Sequence, residues 1–345
     1  MSRVAQQLNL RAGDWVEVAS PAEIYASLDE NGALDGLPFM PEMLSFCGQR
    51  FQVRARCERS CDPASDIFMR RVKDAVHLGN LRCGGQSHGG CQSQCLLFWK
   101  EEWLKRSSPG SELIALTVAG SNLDRRADVN PLRDQEWLES RMRLTVDGAE
   151  SLYRCQATEL KKAGKPLQWW KPAQYVRDLR SGQVPLARLV LPFGYMAISK
   201  LRKSFTGKGF PDVCGTLEKT PSEKLDLREG DCVVVKSREE IVATLDTTGR
   251  NRGLTFEAAM LRYCGERYRV LCRVERVIDE RTGKLRQMRE PAVILKDVVC
   301  NSDYGGVCSR SNYLFWREIW LRRADPADSK PRCQNICPDN VTADA

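Results

Sequence analysis

Alternating apolar and polar side chains open two distant stretches of this chain. Trp15-Val16-Glu17-Val18 follows Gly13-Asp14, and Cys232-Val233-Val234-Val235 follows Gly230-Asp231. A near-period of two, entered from glycine, predicts a half-buried strand. Ser20 or Ser237 then stands three residues ahead of Glu23 or Glu240, and Ile24 and Leu28 share a face. This capping-box pattern predicts a short helix, with turns at Gly32 and Gly36 to end it. Phe51-Gln52-Val53-Arg54 and Tyr268-Arg269-Val270-Leu271 predict another strand, and the later one runs on through Val274 to a hairpin at Asp279-Glu280-Arg281-Thr282-Gly283.

The two stretches are copies. Displacing the chain by 217 positions, so that Leu8 meets Leu225, matches Leu10, Arg11, Gly13, Asp14, Val16 and Val18 with Leu227, Arg228, Gly230, Asp231, Val233 and Val235. The same displacement pairs Phe39 with Phe256, Met43 with Met260, Cys47-Gly48 with Cys264-Gly265, and Leu97-Phe98-Trp99 and Trp103 with Leu314-Phe315-Trp316 and Trp320. Repetition of this kind outranks every other sequence signal. It divides the chain into a first module over 8–106, a middle segment over 107–223, a second module over 224–325 and a tail over 326–345. The closing aromatics lie partly on one face of either a strand or a helix, so these Trp residues are read as core in preference to a base-stacking platform.

The Leu-x-x-Gly-Asp-x-Val-x-Val opening and the strand lengths resemble SH3-like or KOW-like barrels. The whole chain resembles a bacterial family of tandem SH3-like barrel proteins with a Cys/His-rich first repeat, through Phe98-Trp99-Lys100, Trp169-Trp170 and Phe315-Trp316-Arg317-Glu318. The resemblance implies a mainly β fold with some α: two SH3-like small barrels from an internal duplication, joined by a mixed helical middle segment. It supplies no catalytic residue.

In that middle segment Trp137, Met142, Leu144 and Leu152 outline an interrupted helix between Asp134 and Leu152. A second helix is predicted from Trp169-Trp170-Lys171-Pro172, with Pro in the first turn, Tyr175, Val176 and Leu179 following, and Ser181-Gly182 as its stop. Lys161, Lys162, Lys165, Lys171, Arg177, Arg180, Arg188, Lys200, Arg202, Lys203 and Lys208 make the segment basic. Such charge can track a phosphate backbone, but it better suits the solvated faces of helices, and neither a helix-turn-helix nor an RNP-like motif accompanies it.

Composition alters the picture little until cysteine is reached. With 42% hydrophobic and 28% charged residues the chain is of ordinary globular character, and its net charge of +8 is a weak pull on polyanions. No run approaches the length of a membrane helix and the opening lacks a secretory pattern, so the expectation is a cytoplasmic protein. The fifteen cysteines are odd in number and clustered, which favours thiols or metal ligands over a disulfide framework.

Both histidines, His77 and His88, fall in the first module. Cys83-x4-His88-x2-Cys91-x3-Cys95 lies in a glycine-rich run that can wrap an ion, and thiolate with neutral imidazole suits zinc. Cys61, in a Cys-x3-Cys pair with Cys57, is a reserve ligand, Cys155 could reach the group, and an iron–sulfur cluster is the alternative cofactor. Cys333 and Cys337 in the tail are a further pair. The second module keeps Cys300 and Cys308 but carries Gly305, Asn312, Val274 and Ile278 where the first has His88, Cys95, Cys57 and Cys61. A plain core role for Cys83 and Cys91 competes with ligation, and Cys47 and Cys264 are read as core outright.

None of the common catalytic motifs is present. Three functional readings follow. The first is a zinc-stabilised adaptor that holds a protein or peptide partner. The second is an enzyme in which three of Cys83, His88, Cys91 and Cys95 leave an open metal position. The third is an RNA contact through the basic segment.

Overall fold

The computed structural model describes residues 8–64, 69–108, 134–144, 151–168, 176–177, 201, 205, 213–300 and 308–324. They form two compact units, one drawn from Met1–Phe210, Arg276–Met288 and Asn301–Asn312, the other from Pro211–Glu275, Arg289–Cys300 and Tyr313–Ala345.

The first unit is built on an antiparallel sheet of β1 (Trp15–Val18), β2 (Arg50–Arg56), β3 (Ala75–Leu78), β4 (Trp99–Lys100) and β5 (Leu104–Arg106), in the order β4-β3-β2-β1-β5. Val16 and Val18 are buried while Trp15 and Glu17 are not, so the alternation in the sequence is the alternation of faces. The edge strands β4 and β5 are joined by one 3-10 turn, Glu101–Trp103. Between β1 and β2 runs helix α1 (Pro21–Ser27), whose Ser20 and Glu23 form the expected capping box. A three-stranded sheet of Ser60–Cys61, Met69–Val72 and Gly164–Pro166 flanks this framework.

The described part of the middle segment packs into the same core. Helix α2 (Gln135–Met142), capped by Asp134, buries Leu138 and Met142, which lie one turn apart, and sets Trp137 edge-on to Tyr25. The interrupted helix expected over Asp134 to Leu152 is shorter than the sequence pattern suggested. Leu144 falls off the Leu138–Met142 face and stays exposed, and Arg143–Leu144 pairs as a strand with Leu152–Tyr153. Helix α3 (Leu160–Ala163) adds Leu160 to the core. The helix expected from Trp169 lies outside the described residues apart from Val176 and Arg177, and so does Cys333-x3-Cys337. Of the basic residues, Lys161, Lys162 and Lys165 are exposed, Arg177 pairs with Glu58 at 3.5 Å, and the others lie outside the described residues.

The second unit repeats the arrangement with β6 (Cys232–Val235), β7 (Arg267–Ile278), β8 (Leu285–Val299), β9 (Tyr313–Trp316) and β10 (Leu321–Arg323), in the order β9-β8-β7-β6-β10. Helix α4 (Arg238–Val242) has the Ser237–Glu240 capping box. The predicted hairpin at Asp279–Gly283 links β7 to β8 within the stretch Arg276–Met288, which belongs to the first unit, and Gly283 takes a φ of +74° there.

Packing repeats as well. Phe39 meets Trp99 and Trp103 edge-on at 6.3 and 5.1 Å, and Phe256 meets Trp316 and Trp320 at 6.2 and 5.2 Å. All four indoles are fully buried, which places these Trp residues in the core as the sequence suggested. Each contributes on the order of 3–5 kcal/mol by the usual cost of truncation to Ala.

Among the described residues no sheet closes into a barrel. The fold class that stands is mainly β, with several antiparallel sheets and a few short helices. No helix among the described residues is long and apolar enough to cross a membrane.

Candidate metal centre

Between β3 and β4 the chain turns back on itself in the Cys83–Cys95 loop. Arg82 bridges to Leu96, and the Cys83 N–H donates to the Cys95 carbonyl at 2.8 Å, closing the base. Inside, a 3-10 turn over Gln86–His88 is flanked by Gly85 and Gly89 with φ of 74° and 77°. At Gly85 a side chain is sterically impossible, because a Cβ would lie 1.9 Å from the Cys91 carbonyl oxygen. This tight return points His88, 1% exposed, back at Cys83, with Nε2 3.3 Å from Sγ.

A carboxylate completes the group. Glu42, in the first turn of a 3-10 helix begun by Pro41, brings an oxygen within 4.8 Å of both the Cys83 sulfur and an imidazole nitrogen. Its Oε2 accepts from the Ser87 hydroxyl at 2.9 Å, while its Oε1 is buried with no hydrogen-bond partner. Since Ser87 spends its proton on Glu42, it accepts from His88 Nδ1 at 3.1 Å. The relay therefore fixes the tautomer: Nδ1 carries hydrogen, and the Nε2 lone pair faces Cys83. Burial lowers the His88 pKa, with Glu42 opposing, which favours the neutral, ligating imidazole.

Three more thiols line the cavity that Cys83 and His88 border, a space of about 30 Å³. Cys91 accepts from the Ile278 N–H at 3.4 Å and reaches Ser93 at 3.3 Å. Cys155 is held there by its neighbour. Gln156, 5% exposed, accepts from the Phe98 N–H and donates to the carbonyls of Pro38 and Phe98, so the turn it heads is stitched to the β4 edge. Cys95 shares the wall with the Arg310–Glu280 ion pair, whose N–O distance is 2.6 Å.

Three of these thiols, Cys83, Cys95 and Cys155, are held protonated. Burial drives Cys83 far up, with the charges of Glu42, Cys95 and Cys155 adding to it. Burial also pushes Cys95 up to about 12 and Cys155 up to about 11. Several buried acids that raise one another's pKa form a site of strongly negative potential once deprotonated, which a cation would relieve.

Of the residues singled out by sequence, Cys83 and His88 come within range of one ion. Cys91 and Cys95 line the same cavity, joined by Cys155, but no three of these thiols approach one another within 4.8 Å. Cys61 sits elsewhere, its N–H 3.2 Å from the Cys308 sulfur. His77 is fully buried, bonded to the Leu97 carbonyl at 2.8 Å, and burial lowers it to about 3. Cys47 and Cys264 pack against the two hydrophobic cores, as expected of them.

Glu42 was missed by sequence reasoning because an acid in a short helical turn looks like solvated surface. Its signal was available, since the second copy has Ala259 at that position. Comparison with protein-family models, with curated proteins and with solved structures returns no match.

Proposed function

We propose that the protein is a metal-binding accessory protein whose first unit holds one divalent ion, zinc by its donor set, on Cys83, His88 and Glu42. The observation that carries this reading is the buried Cys83–His88–Glu42 group: an imidazole with its tautomer fixed, an adjacent thiol and an orphaned carboxylate oxygen. Thiolate, imidazole and carboxylate are the ordinary zinc ligands. In the second unit the sheet order and the aromatic wedge persist without the donors, which supports a scaffold role for the pair. The strand order, with both edge strands joined by a single 3-10 turn, supports reading each sheet as an SH3-like barrel from an internal duplication. The partner such a scaffold would hold is a protein or peptide.

A second reading is favoured by the donor count. Three ligands beside a cavity with room for about two waters would leave an exchangeable position, as in zinc enzymes. In that reading the ion activates water or a substrate thiol there.

Metal analysis of chain purified without added ions tests the proposal. One zinc per chain is expected, lost in Cys83→Ser, His88→Ala and Glu42→Gln and kept in Cys61→Ser. Loss of native fold on chelation would favour the structural role, and rapid metal exchange without unfolding the catalytic one. Iron with acid-labile sulfide, dependent on Cys91, Cys95 and Cys155, would replace zinc by a cluster. Metal-free protein that gains none on incubation with zinc would defeat the proposal.

A further inference from the structure

Cys308 in the second repeat aligns with Cys91, yet it belongs to the first unit. Cys308, Ser309 and Arg310 are fastened to the stretch Arg59–Cys61 by several contacts, among them the Ser60 and Ser309 hydroxyls at 3.1 Å. The Ser309 N–H donates to the Arg59 carbonyl at 2.8 Å, the Cys61 N–H to the Cys308 sulfur at 3.2 Å, and Arg310 to the Cys61 carbonyl at 2.9 Å. The Cys61 thiol also hydrogen-bonds the Cys308 sulfur. Two cysteines from distant parts of the sequence therefore stand sulfur to sulfur, both half-buried and not joined by a disulfide.

Their surroundings divide the roles. Cys308 receives the Cys61 thiol, backbone N–H groups of Cys61 and Arg310, and the positive charge of Arg310, which together bring it down to about 6. It is a thiolate at neutral pH, stabilised as reactive cysteines are. Arg310 is fully buried and fixed by two bonds to Glu280, at 3.0 and 2.6 Å, so its charge is held in place. Cys57 is a contrast: it also reaches Ser309, but burial keeps its thiol protonated.

We propose that Cys61 and Cys308 form a thiol–disulfide exchange centre, with Cys308 as the attacking and Cys61 as the resolving cysteine, acting on small disulfides of the glutathione class. The Cys308 thiolate attacks one sulfur of the disulfide, forming a mixed disulfide and expelling one thiolate. Cys61 then gives up its proton and attacks the Cys308 sulfur, forming the Cys61–Cys308 bond and expelling the second thiolate. The two expelled thiolates take up protons from Cys61 and solvent. The protein pair is oxidised by two electrons and the small disulfide is reduced to two thiols. The centre uses none of Glu42, Cys83 and His88, so it stands or falls independently of the metal reading.

The test is incubation of the full chain with oxidised glutathione, followed by peptide mapping without reductant. A cross-link between the Cys61 and Cys308 peptides is expected, reversed by excess reduced glutathione. Cys61→Ser should accumulate glutathione on Cys308, because the resolving thiol is gone, and Cys57→Ser should behave as wild type. On the unmodified chain, iodoacetamide at neutral pH should alkylate Cys308 about tenfold or more faster than Cys47, which burial raises to about 11. Cross-links that use Cys57 instead, or Cys308 alkylating no faster than Cys47 together with no cross-link at any glutathione ratio, would overturn the proposal.

Discussion

The two repeats share their packing and differ in what hangs from it. In each, a phenylalanine wedges between two buried tryptophans, the second indole N–H donates to a hydroxyl (Ser27 or Thr244, both at 3.1 Å), and a buried glutamate reaches back to backbone N–H groups ahead of the first strand. Beyond the second strand they part. The first repeat has a four-residue β3 and a glycine-shaped loop that gathers Cys83 and His88, whereas the second has a hairpin of strands of 12 and 15 residues. Residues that hold a sheet together are fixed by mutual contact and survive duplication. Loop residues answer only to the local chemistry, and that is where the candidate ligands lie.

The largest expected break in this comparison is at Gly85. Gly85→Ala must open the loop, since the Cβ would overlap the Cys91 carbonyl and the φ is left-handed, and a stability loss of about 3 kcal/mol or more is expected, with loss of the zinc. Gly48→Ala and Gly265→Ala, at equivalent turns with φ of 74° and 81° and open space beyond, should cost only about 1–2 kcal/mol each. Denaturant melts of the three variants, with zinc measured on each, check this. Equal losses at all three would show that the loop is not specially constrained.

A smaller contrast separates the two glutamates. Glu101 accepts from the N–H groups of Asn9 and Leu10 and pairs with Arg56 at 2.6 Å, where both side chains are at most 10% exposed. Glu318 serves Leu225, Asp226 and Leu227, but its Arg273 is 37% exposed and the ion distance is 3.0 Å. Removing the charge takes the nearer carboxylate from a buried guanidinium in the first case, leaving it Glu58 at 3.4 Å, and from a more solvated one in the second, leaving it Glu275 at 3.3 Å. Glu101→Gln should therefore cost about 3 kcal/mol and Glu318→Gln nearer 1–2 kcal/mol, read from the denaturation midpoints at constant slope.

How much of this was legible in advance follows from the same division. The strands, capping boxes, hairpin and buried tryptophans could be read because each rests on a local period or on the repeat itself. Cys83 and His88 were legible as a pair from spacing. Cys155 was legible only as a residue that could reach them, since its approach depends on Gln156 bridging to Phe98, and Glu42 was not, since its place depends on a 3-10 turn, both tertiary facts. Cys308 was hidden by the duplication, because alignment assigned it to a repeat whose unit it does not join. The helix end at Met142 was missed since Leu144 is apolar and yet exposed.

The smallest effect concerns the helix caps, and there pH gives the sharper reading. In the first repeat Glu23 is bonded by Lys105 at 2.7 Å and by Ser20, which together lower it from 4.5 to about 2. At the same place in the second repeat Arg322 acts on Glu240 through charge alone, and the bond to the Ser237 backbone is the leading cause of its lowered value. A carboxyl whose folded pKa is depressed stabilises the fold above its unfolded value and loses that contribution as pH falls through the folded one. For Glu23 the window runs from 4.5 down to about 2. Lys105→Ala should then cost about 0.5 kcal/mol at neutral pH, the Lys and Glu side chains being 52% and 50% exposed, and nothing once Glu23 is protonated. Arg322→Ala should cost less at neutral pH, so paired melts at pH 7 and near pH 2 distinguish a bonded cap partner from a merely nearby charge. A Lys105 effect that persisted at the acid end would come from lost side-chain packing and would remove the electrostatic distinction between the two caps.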